Sequence, residues 1–258
     1  MRHFTAHAIL IAALAPFALP AATFEWSGVI EPKQTFEVRN IVGDIKAERA
    51  TGSEVEISVQ IVGTHPDPAS IRIDVVPHDG GVLVCTIYLG LSRPEHCTPE
   101  KTPSVTLNNS DIRVLYTLRV PPDVNLVART VNGNVSVNLP DSPASVYTVN
   151  GRVVLTTSRP ADVNVVNGSI LASLGAVDWA DSHEISTVNG AVDLEVPETA
   201  NATVRATATL GPIMTDFPLT VHHTIVGSWL YDNINAGGSL LYLSTVNGSI
   251  HLRRAQAQ

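Results

Sequence analysis

The phrase Thr130-Val131-Asn132-Gly133 returns unchanged at three further places and sets the pattern of the C-terminal half of this chain. The other copies begin at Thr148, Thr187 and Thr245, and Val165-Val166-Asn167-Gly168 differs at one position. From the numbering, successive copies lie 18, 17, 22 and 58 residues apart. Recurrence at about twenty residues is typical of a solenoid or a related repeat array. The long last interval has room for about three repeats, and Leu210-Gly211-Pro212-Ile213 within it is a degenerate copy.

The residues on either side of each Asn-Gly predict two short strands. After the glycine, apolar and polar residues alternate, as at Val153 and Leu155, which is the period of a strand with one buried face. The residues before the asparagine also alternate, as at Ile185 and Thr187, but out of phase with the second run. The chain must therefore bend at Asn-Gly for both halves to face one core. Glycine accepts positive φ and asparagine tolerates the left-handed region, so Asn-Gly is predicted to form that corner.

Two geometries satisfy this pattern. The corners could belong to a coil whose turns stack as parallel rungs, or they could be type I′ turns of an antiparallel meander. We favour the coil, because identical residues at one place in each period are expected where like stacks on like. The predicted fold is all-β, a single-stranded β-solenoid (β-helix-like) of 17–22-residue rungs with Asn-Gly corners, and the meander is the alternative. The predicted corner residues are Asn132, Gly133, Asn150, Gly151, Asn167, Gly168, Asn189, Gly190, Asn247 and Gly248.

The overall charge is acidic, with 16 basic and 24 acidic residues among 258 and no basic cluster. This balance argues against nucleic acid as a partner and against adsorption to anionic lipid.

Residues 1–22 are predicted to be a secretory signal. An apolar run at residues 8–19 follows Arg2, and Ala21-Ala22 provides small residues for cleavage. The run is short for a bilayer span and is interrupted by Pro16. We therefore expect export to the periplasm or the cell surface, and a mature chain without a transmembrane segment.

Residues 23–120 are predicted to form an irregular N-terminal β region, and residues 121–258 the repeat region. Cys85 and Cys97 are the only cysteines, and they flank a loop that contains glycine and proline. In an exported chain such a pair predicts one local disulfide, with two free thiols as the alternative.

One segment offers candidate catalytic chemistry. Parallel β-coils also carry polysaccharide lyases and hydrolases, and such enzymes use acidic groups around a sugar site. Asp178, Asp181 and Glu184 could perform acid–base work, and Trp179 could stack on a sugar ring. An ordinary loop between rungs is favoured, because no row of acids lines up across the repeats.

The adjacent pair His222-His223 is a candidate for metal binding. Neighbouring residues of a strand point to opposite faces, so the pair is not expected to serve one metal ion. No zinc, phosphate-loop, dinucleotide or nucleophile-elbow motif is present, and no cofactor is predicted.

Three elements together resemble the bacterial putative adhesins with β-strand repeats, a family long classed as a domain of unknown function. They are Val38-Arg39-Asn40-Ile41-Val42-Gly43-Asp44-Ile45, the junction Val120-Pro121-Pro122, and the repeated Thr-Val-Asn-Gly-x-Val. The resemblance covers roughly residues 34–254. It implies an exported or cell-envelope β-solenoid without an established enzymatic role, and it supplies no catalytic residues.

The predicted function is that of an exported, non-enzymatic adhesin-like or scaffold protein of the bacterial cell envelope. Its candidate partners are an envelope polysaccharide or a surface protein, bound through the solenoid surface. The alternatives are a polysaccharide-active lyase or hydrolase on a β-helix, and a structural envelope-stress or assembly component. The threonines and asparagines of the repeats could form a flat polar binding face, although hydrogen-bonded turns and ladders are the favoured interpretation.

Overall fold

The computed structural model describes residues 22–65, 67–101, 104–107 and 110–255. The predicted signal lies outside these residues, apart from Ala22, at which the first strand begins. Apart from one 3-10 turn, Pro68–Ser70, the regular elements of these ranges are all strands, so the all-β prediction is confirmed. None of the described helical segments is long and apolar enough to cross a bilayer. The strands are β1 (Ala22–Val29), β2 (Thr35–Arg39), β3 (Ile45–Arg49), β4 (Glu54–Val62), β5 (Ile71–His78), β6 (Gly81–Tyr88), β7 (Arg113–Val120), β8 (Asn125–Asn132), β9 (Val135–Asn138), β10 (Ala144–Asn150), β11 (Val153–Thr157), β12 (Ala161–Asn167), β13 (Ile170–Leu174), β14 (His183–Asn189), β15 (Val192–Val196), β16 (Ala202–Leu210), β17 (Ile213–Thr215), β18 (His222–His223), β19 (Ser228–Ile234), β20 (Leu240–Asn247) and β21 (Ile250–Arg254).

The strands form two large mixed sheets. Sheet A has ten strands in the order β1-β4-β7-β3-β9-β11-β13-β15-β21-β17, and sheet B has eleven in the order β18-β19-β16-β20-β14-β12-β10-β8-β2-β6-β5. Inward-facing side chains of both sheets build one hydrophobic core, which extends from Ile30 to Leu252. Residues on both sides of the predicted boundary at 120 therefore contribute to the same two sheets.

Each repeat supplies one strand to each sheet, with the Asn-Gly between them, and we call such a unit a rung. Neighbouring rungs pair in parallel and in register: Asn150 lies opposite both Asn132 and Asn167 in sheet B. Val153 likewise lies opposite Val135 and Ile170 in sheet A. An antiparallel meander would require antiparallel pairs between these strands, so that alternative is wrong for the repeats.

The spatial order of the rungs departs from their order along the chain. The last exact copy, β20/β21, lies between β14/β15 and β16/β17. The degenerate copy around Gly211 therefore stands at the end of the array, where the Gly248 N–H donates to the Leu210 carbonyl. This insertion lets Asn247 continue the row of Asn189, so identical residues still meet.

The N-terminal part builds the opposite end of the array in a similar way. The rung β2/β3 lies between β8/β9 and a rung formed by β6 and β7. A disulfide joins Cys85 in β6 to Cys97 in the segment between β6 and β7. Antiparallel strands cover both ends of the array: β5 on β6 and β4 on β7 at one end, and β19 on β16 at the other. Covering in this way reduces the exposure of unpaired strand edges.

Candidate binding groove

The corner asparagines form a ladder along one exposed border of sheet B. Each side-chain amide donates to the side-chain oxygen of the preceding repeat's asparagine, over 2.7–2.9 Å. The members of this ladder are Asn132, Asn150, Asn167, Asn189 and Asn247. Their side chains thus bond to one another, which is the arrangement expected where like residues stack.

The corner glycines hold the backbones of neighbouring rungs together. The Gly133 N–H donates to the Asn150 carbonyl over 2.9 Å, and the same bond recurs at the other corners. A Cβ on Gly133 would lie 2.0 Å from the Gly43 carbonyl oxygen, so no larger residue fits there. The non-glycine residues with positive φ in the described chain are Lys33, Asp123 and Asn235. The corner asparagines are not among them, so their tolerance of the left-handed region is not used at the corners, and close approach of the rungs explains the glycine.

The threonines of the repeats point inward rather than onto a binding face. Thr148 is buried, and its hydroxyl donates to the Gly133 carbonyl over 3.1 Å. Thr130, Thr187 and Thr245 make the equivalent bond to the glycine of a neighbouring rung. The threonines therefore do not contribute to a flat polar binding face. Their hydroxyls instead donate hydrogen bonds to buried carbonyl groups, as the favoured interpretation predicted.

The outward position between each threonine and asparagine is occupied by valine. These side chains are 37–41% exposed and stack rung upon rung, so they form a continuous apolar stripe that we call the valine row. Its members are Val131, Val149, Val166, Val188 and Val246. At about 4.8 Å between neighbouring strands, the five residues span about 19 Å. In a strand, the neighbour of an inward-facing residue faces outward. The valine at the same position of every repeat therefore predicts this row from the sequence.

A groove of about 920 Å³ runs along the valine row. Its second side is polar and aromatic and comes from the next outward position of each strand, with Tyr147, Asn164, Ser186 and Ser244. The Ser186 hydroxyl donates to the Asn164 side-chain oxygen over 2.7 Å. An apolar floor with a few fixed polar groups is the usual composition of a ligand site.

A charged cluster closes the N-terminal end of the groove. Glu37 accepts hydrogen bonds from Arg39 at 2.7 Å and from Arg129 at 2.9 Å. The Arg129 guanidinium also lies 3.9 Å from the centre of the Tyr147 ring, a cation–π contact. Arg39 further donates to the carbonyls of residues 98, 99 and 101, which holds the adjoining loop against the sheet. Sequence reasoning missed this cluster, because Arg129 in β8 lies 92 residues from Glu37 in β2.

The cluster predicts a specific loss of stability in acid. Burial opposes ionisation of Glu37, but Arg39 and then Arg129 outweigh it and hold the pKa of Glu37 below its usual 4.5. A depressed carboxyl pKa stabilises the fold above the unfolded-state pKa, and this contribution is lost as the pH falls through the folded-state pKa. We expect the free energy of unfolding to fall below pH 4.5, and to fall less steeply in Glu37→Gln. Urea titrations at several pH values across this range would measure the free energy of unfolding, and Glu54→Gln, at an exposed position, is the control. If the free energy of Glu37→Gln falls with pH as steeply as that of the wild type, Glu37 is not the group responsible.

The acidic candidates for catalysis are exposed side chains. Asp178 and Asp181 lie between β13 and β14, whereas Glu184 lies in β14 and lines the groove. Trp179 packs against the core and meets the His183 ring edge-on at 5.1 Å, so it acts as a packing residue at the edge of the sheet. His183 Nδ1 lies 3.3 Å from the Asp162 carboxylate.

The two adjacent histidines also diverge. His222 stacks on Trp229 with ring centres 4.1 Å apart, while His223 Nδ1 lies 3.1 Å from the Ser228 hydroxyl. Within the described ranges, no group of three histidine, cysteine or acidic residues is placed to hold a metal ion.

No family model matches the chain. No curated protein matches it either. Among solved structures it is similar to a putative cell adhesion protein from Clostridium sporogenes, at 11% identity and a TM-score of 0.47, over 91% of this chain and 100% of the other. It is also similar to putative adhesins from Bacteroides fragilis (12% identity, TM-score 0.33, 91% and 97% covered) and Parabacteroides merdae (11%, 0.35, 91% and 96%). At such identities and TM-scores these similarities carry no argument about function.

Proposed function

We propose that this chain is an exported, non-enzymatic, adhesin-like binding protein of the bacterial cell envelope, and that the groove on sheet B is its binding site. The observation that carries the proposal is the valine row, five large apolar side chains left exposed in register beside a groove of about 920 Å³. An apolar stripe that lines a groove and has polar groups beside it has the composition usual for a ligand site. Exposing valine to water is unfavourable, and it is repeated on five rungs. We therefore attribute the row to ligand binding and not to stability of the fold.

We further propose that residues 121–258 form a short β-solenoid, onto which residues 23–120 add further rungs and an end cover. Parallel pairing in register supports it, together with the asparagine ladder and the recurring glycine N–H to asparagine carbonyl bonds. Such an array presents a rigid, regular surface, which favours binding by many weak contacts along a line.

The composition of the groove favours an extended ligand with both apolar and hydroxyl or amide groups. Valine side chains offer apolar contact along one side, while Asn164, Ser186 and Ser244 offer hydrogen bonds along the other. Tyr147 and Tyr242 add aromatic faces. An envelope polysaccharide has this mixed character, and so does an extended segment of a surface protein.

The test is binding of the purified protein to fractionated envelope polysaccharide and envelope protein, kept separate. The triple variant Val149→Thr/Val166→Thr/Val188→Thr keeps β-branched side chains and should bind at least about tenfold more weakly, because apolar contact is lost at three sites. Leu171→Thr is the matched control, since Leu171 is 45% exposed on sheet A and should not matter for binding.

Two outcomes would count against the proposal. Equal affinity of the triple variant and the wild type would show that the valine row is not the site. Release of oligosaccharides from the polysaccharide fraction would favour the enzymatic alternative, and Asp178, Asp181 and Glu184 would then be the first residues to replace.

A further inference from the structure

A second concentration of exposed apolar side chains lies at the C-terminal end of the array, away from the middle of the groove. The hairpin of β18 and β19 ends in a turn, residues 224–227, that carries Ile225 and Val226 at its tip. Ile225 is fully exposed, and Val226 is 62% exposed. Leu210, which takes the asparagine position in the last rung, is 49% exposed on the same border of sheet B. We call Ile225 and Val226 the hairpin tip.

The tip is an ordered structure rather than a loose loop. The Thr224 N–H donates to the Gly227 carbonyl over 2.8 Å, and the Gly227 N–H donates to the Thr224 hydroxyl over 2.9 Å. The Thr224 hydroxyl also donates to the same Gly227 carbonyl. These bonds satisfy the Thr224 N–H and both backbone groups of Gly227, so the base of the turn is held by three internal hydrogen bonds.

Exposed aromatic side chains follow the tip along the chain. Trp229 is three residues after Val226, across the end of the turn and the start of β19, so the two Cα atoms are at most about 10 Å apart. Trp229 is 45% exposed and Tyr231 is 65% exposed, and both lie on the outward face of sheet B. An apolar tip that enters the acyl boundary by about 5–10 Å would bring Trp229 to the headgroups, where amphipathic rings are favoured.

The segment 217–231, which contains the hairpin tip, has no acidic or basic side chain apart from histidine. In residues 206–229, Asp216 is the only acidic or basic residue apart from histidine, although the chain as a whole has a net charge of −8. Asp216 lies 3.7 Å from His251. Arg205, which pairs with Tyr231, and Asp232 lie farther along the strands, so the tip itself has no acidic or basic side chain to desolvate.

From these observations we propose that the hairpin tip is a membrane-contacting element, which inserts shallowly into a lipid surface with zwitterionic headgroups. A bilayer suits a convex, uncharged tip with aromatic rings behind it, because it needs no matching pocket. The proposal goes beyond binding in the groove: the tip would hold the protein at a membrane while the valine row faces its ligand.

The test uses the purified protein and vesicles of phosphatidylcholine in a flotation assay. The wild type should float with the vesicles, and Ile225→Asn/Val226→Asn should partition at least about tenfold less, because two apolar contacts with the acyl boundary are lost. Asparagine suits a turn, so the fold should persist. The groove variant Val149→Thr/Val166→Thr/Val188→Thr is the matched control and should float like the wild type, so failure of the tip and failure of the groove are distinguishable.

Three results would overturn the proposal. The first is equal flotation of the tip variant and the wild type, or no flotation of either. The second is stronger binding to vesicles enriched in phosphatidylglycerol, since an acidic chain held by its tip should bind them more weakly. The third is self-association without lipid that the tip variant abolishes, which would make a second copy of the chain the partner of the tip.

Discussion

Gly151→Val should unfold the protein or reduce its free energy of unfolding by at least about 4 kcal/mol. A Cβ at this position would lie 2.0 Å from the Gly133 carbonyl oxygen and 2.6 Å from its carbon, and both are backbone atoms of a packed rung. Relief would require these two rungs to separate, which breaks the bond from the Gly133 N–H to the Asn150 carbonyl. Gly190→Val should behave alike, since its Cβ would meet the Gly168 carbonyl at the same distance.

Urea or thermal unfolding followed by circular dichroism would measure this effect. Gly52→Val is the matched control, because a Cβ on Gly52 meets nothing within 4 Å. Asp181→Ala, at an exposed position, should change stability by no more than about 0.5 kcal/mol. Unfolding midpoints for Gly151→Val that match those of Gly52→Val would refute the claim that the corners organise the stack.

Asn40→Ala should cost about 4 kcal/mol, the second largest effect that we expect. Asn40 is 3% exposed, and its amide donates to the carbonyls of Val114, at 2.8 Å, and Gly43, at 3.1 Å. Its side-chain oxygen accepts from the Thr86 hydroxyl, which in turn lies 2.8 Å from the Tyr116 hydroxyl. Alanine would leave several of these buried groups without a partner, and each such group costs about 1–3 kcal/mol.

Two further variants separate the buried network from a general effect of removing asparagine. Asn150→Ala removes an exposed member of the ladder and should cost less than about 1 kcal/mol, because water can replace its two ladder hydrogen bonds. In Asn40→Thr the hydroxyl would occupy the position that Thr130 has in the next rung, so we expect part of the stability to return. If Asn40→Ala and Asn150→Ala lose the same stability, the network is not the reason for the burial of Asn40.

The repeated phrase was sufficient to predict an all-β fold and the stacking of like residues, because both follow from local patterns. Alternation at two residues identifies strands wherever one face is buried, and Val55 to Ile61 became β4 as this rule requires. The left-handed tolerance of asparagine was not the reason for its recurrence, since the corner asparagines do not have positive φ and instead bond to one another across the rungs.

The candidate site could be predicted only in part. The outward valines were visible as an aligned position in the repeats, but the groove beside them needs the register of six strands. The cluster of Glu37, Arg39 and Arg129 joins residues 92 positions apart, and no local pattern relates them. The hairpin tip lies in residues 214–240. The repeat pattern is interrupted there, so it does not predict the structure of this segment.

By itself, therefore, the sequence determined the strands, the corners and which side of each strand is buried, since these depend on a residue and its near neighbours. Only the tertiary structure decided the order of the rungs, with β20/β21 inserted before β16/β17. The physical reason is that identical rungs are interchangeable in local energy. The observed order continues the asparagine ladder from Asn189 to Asn247 and leaves the imperfect rung at Gly211 at the end, where β19 covers it. These contacts join residues that are distant in the chain, so the order depends on tertiary structure.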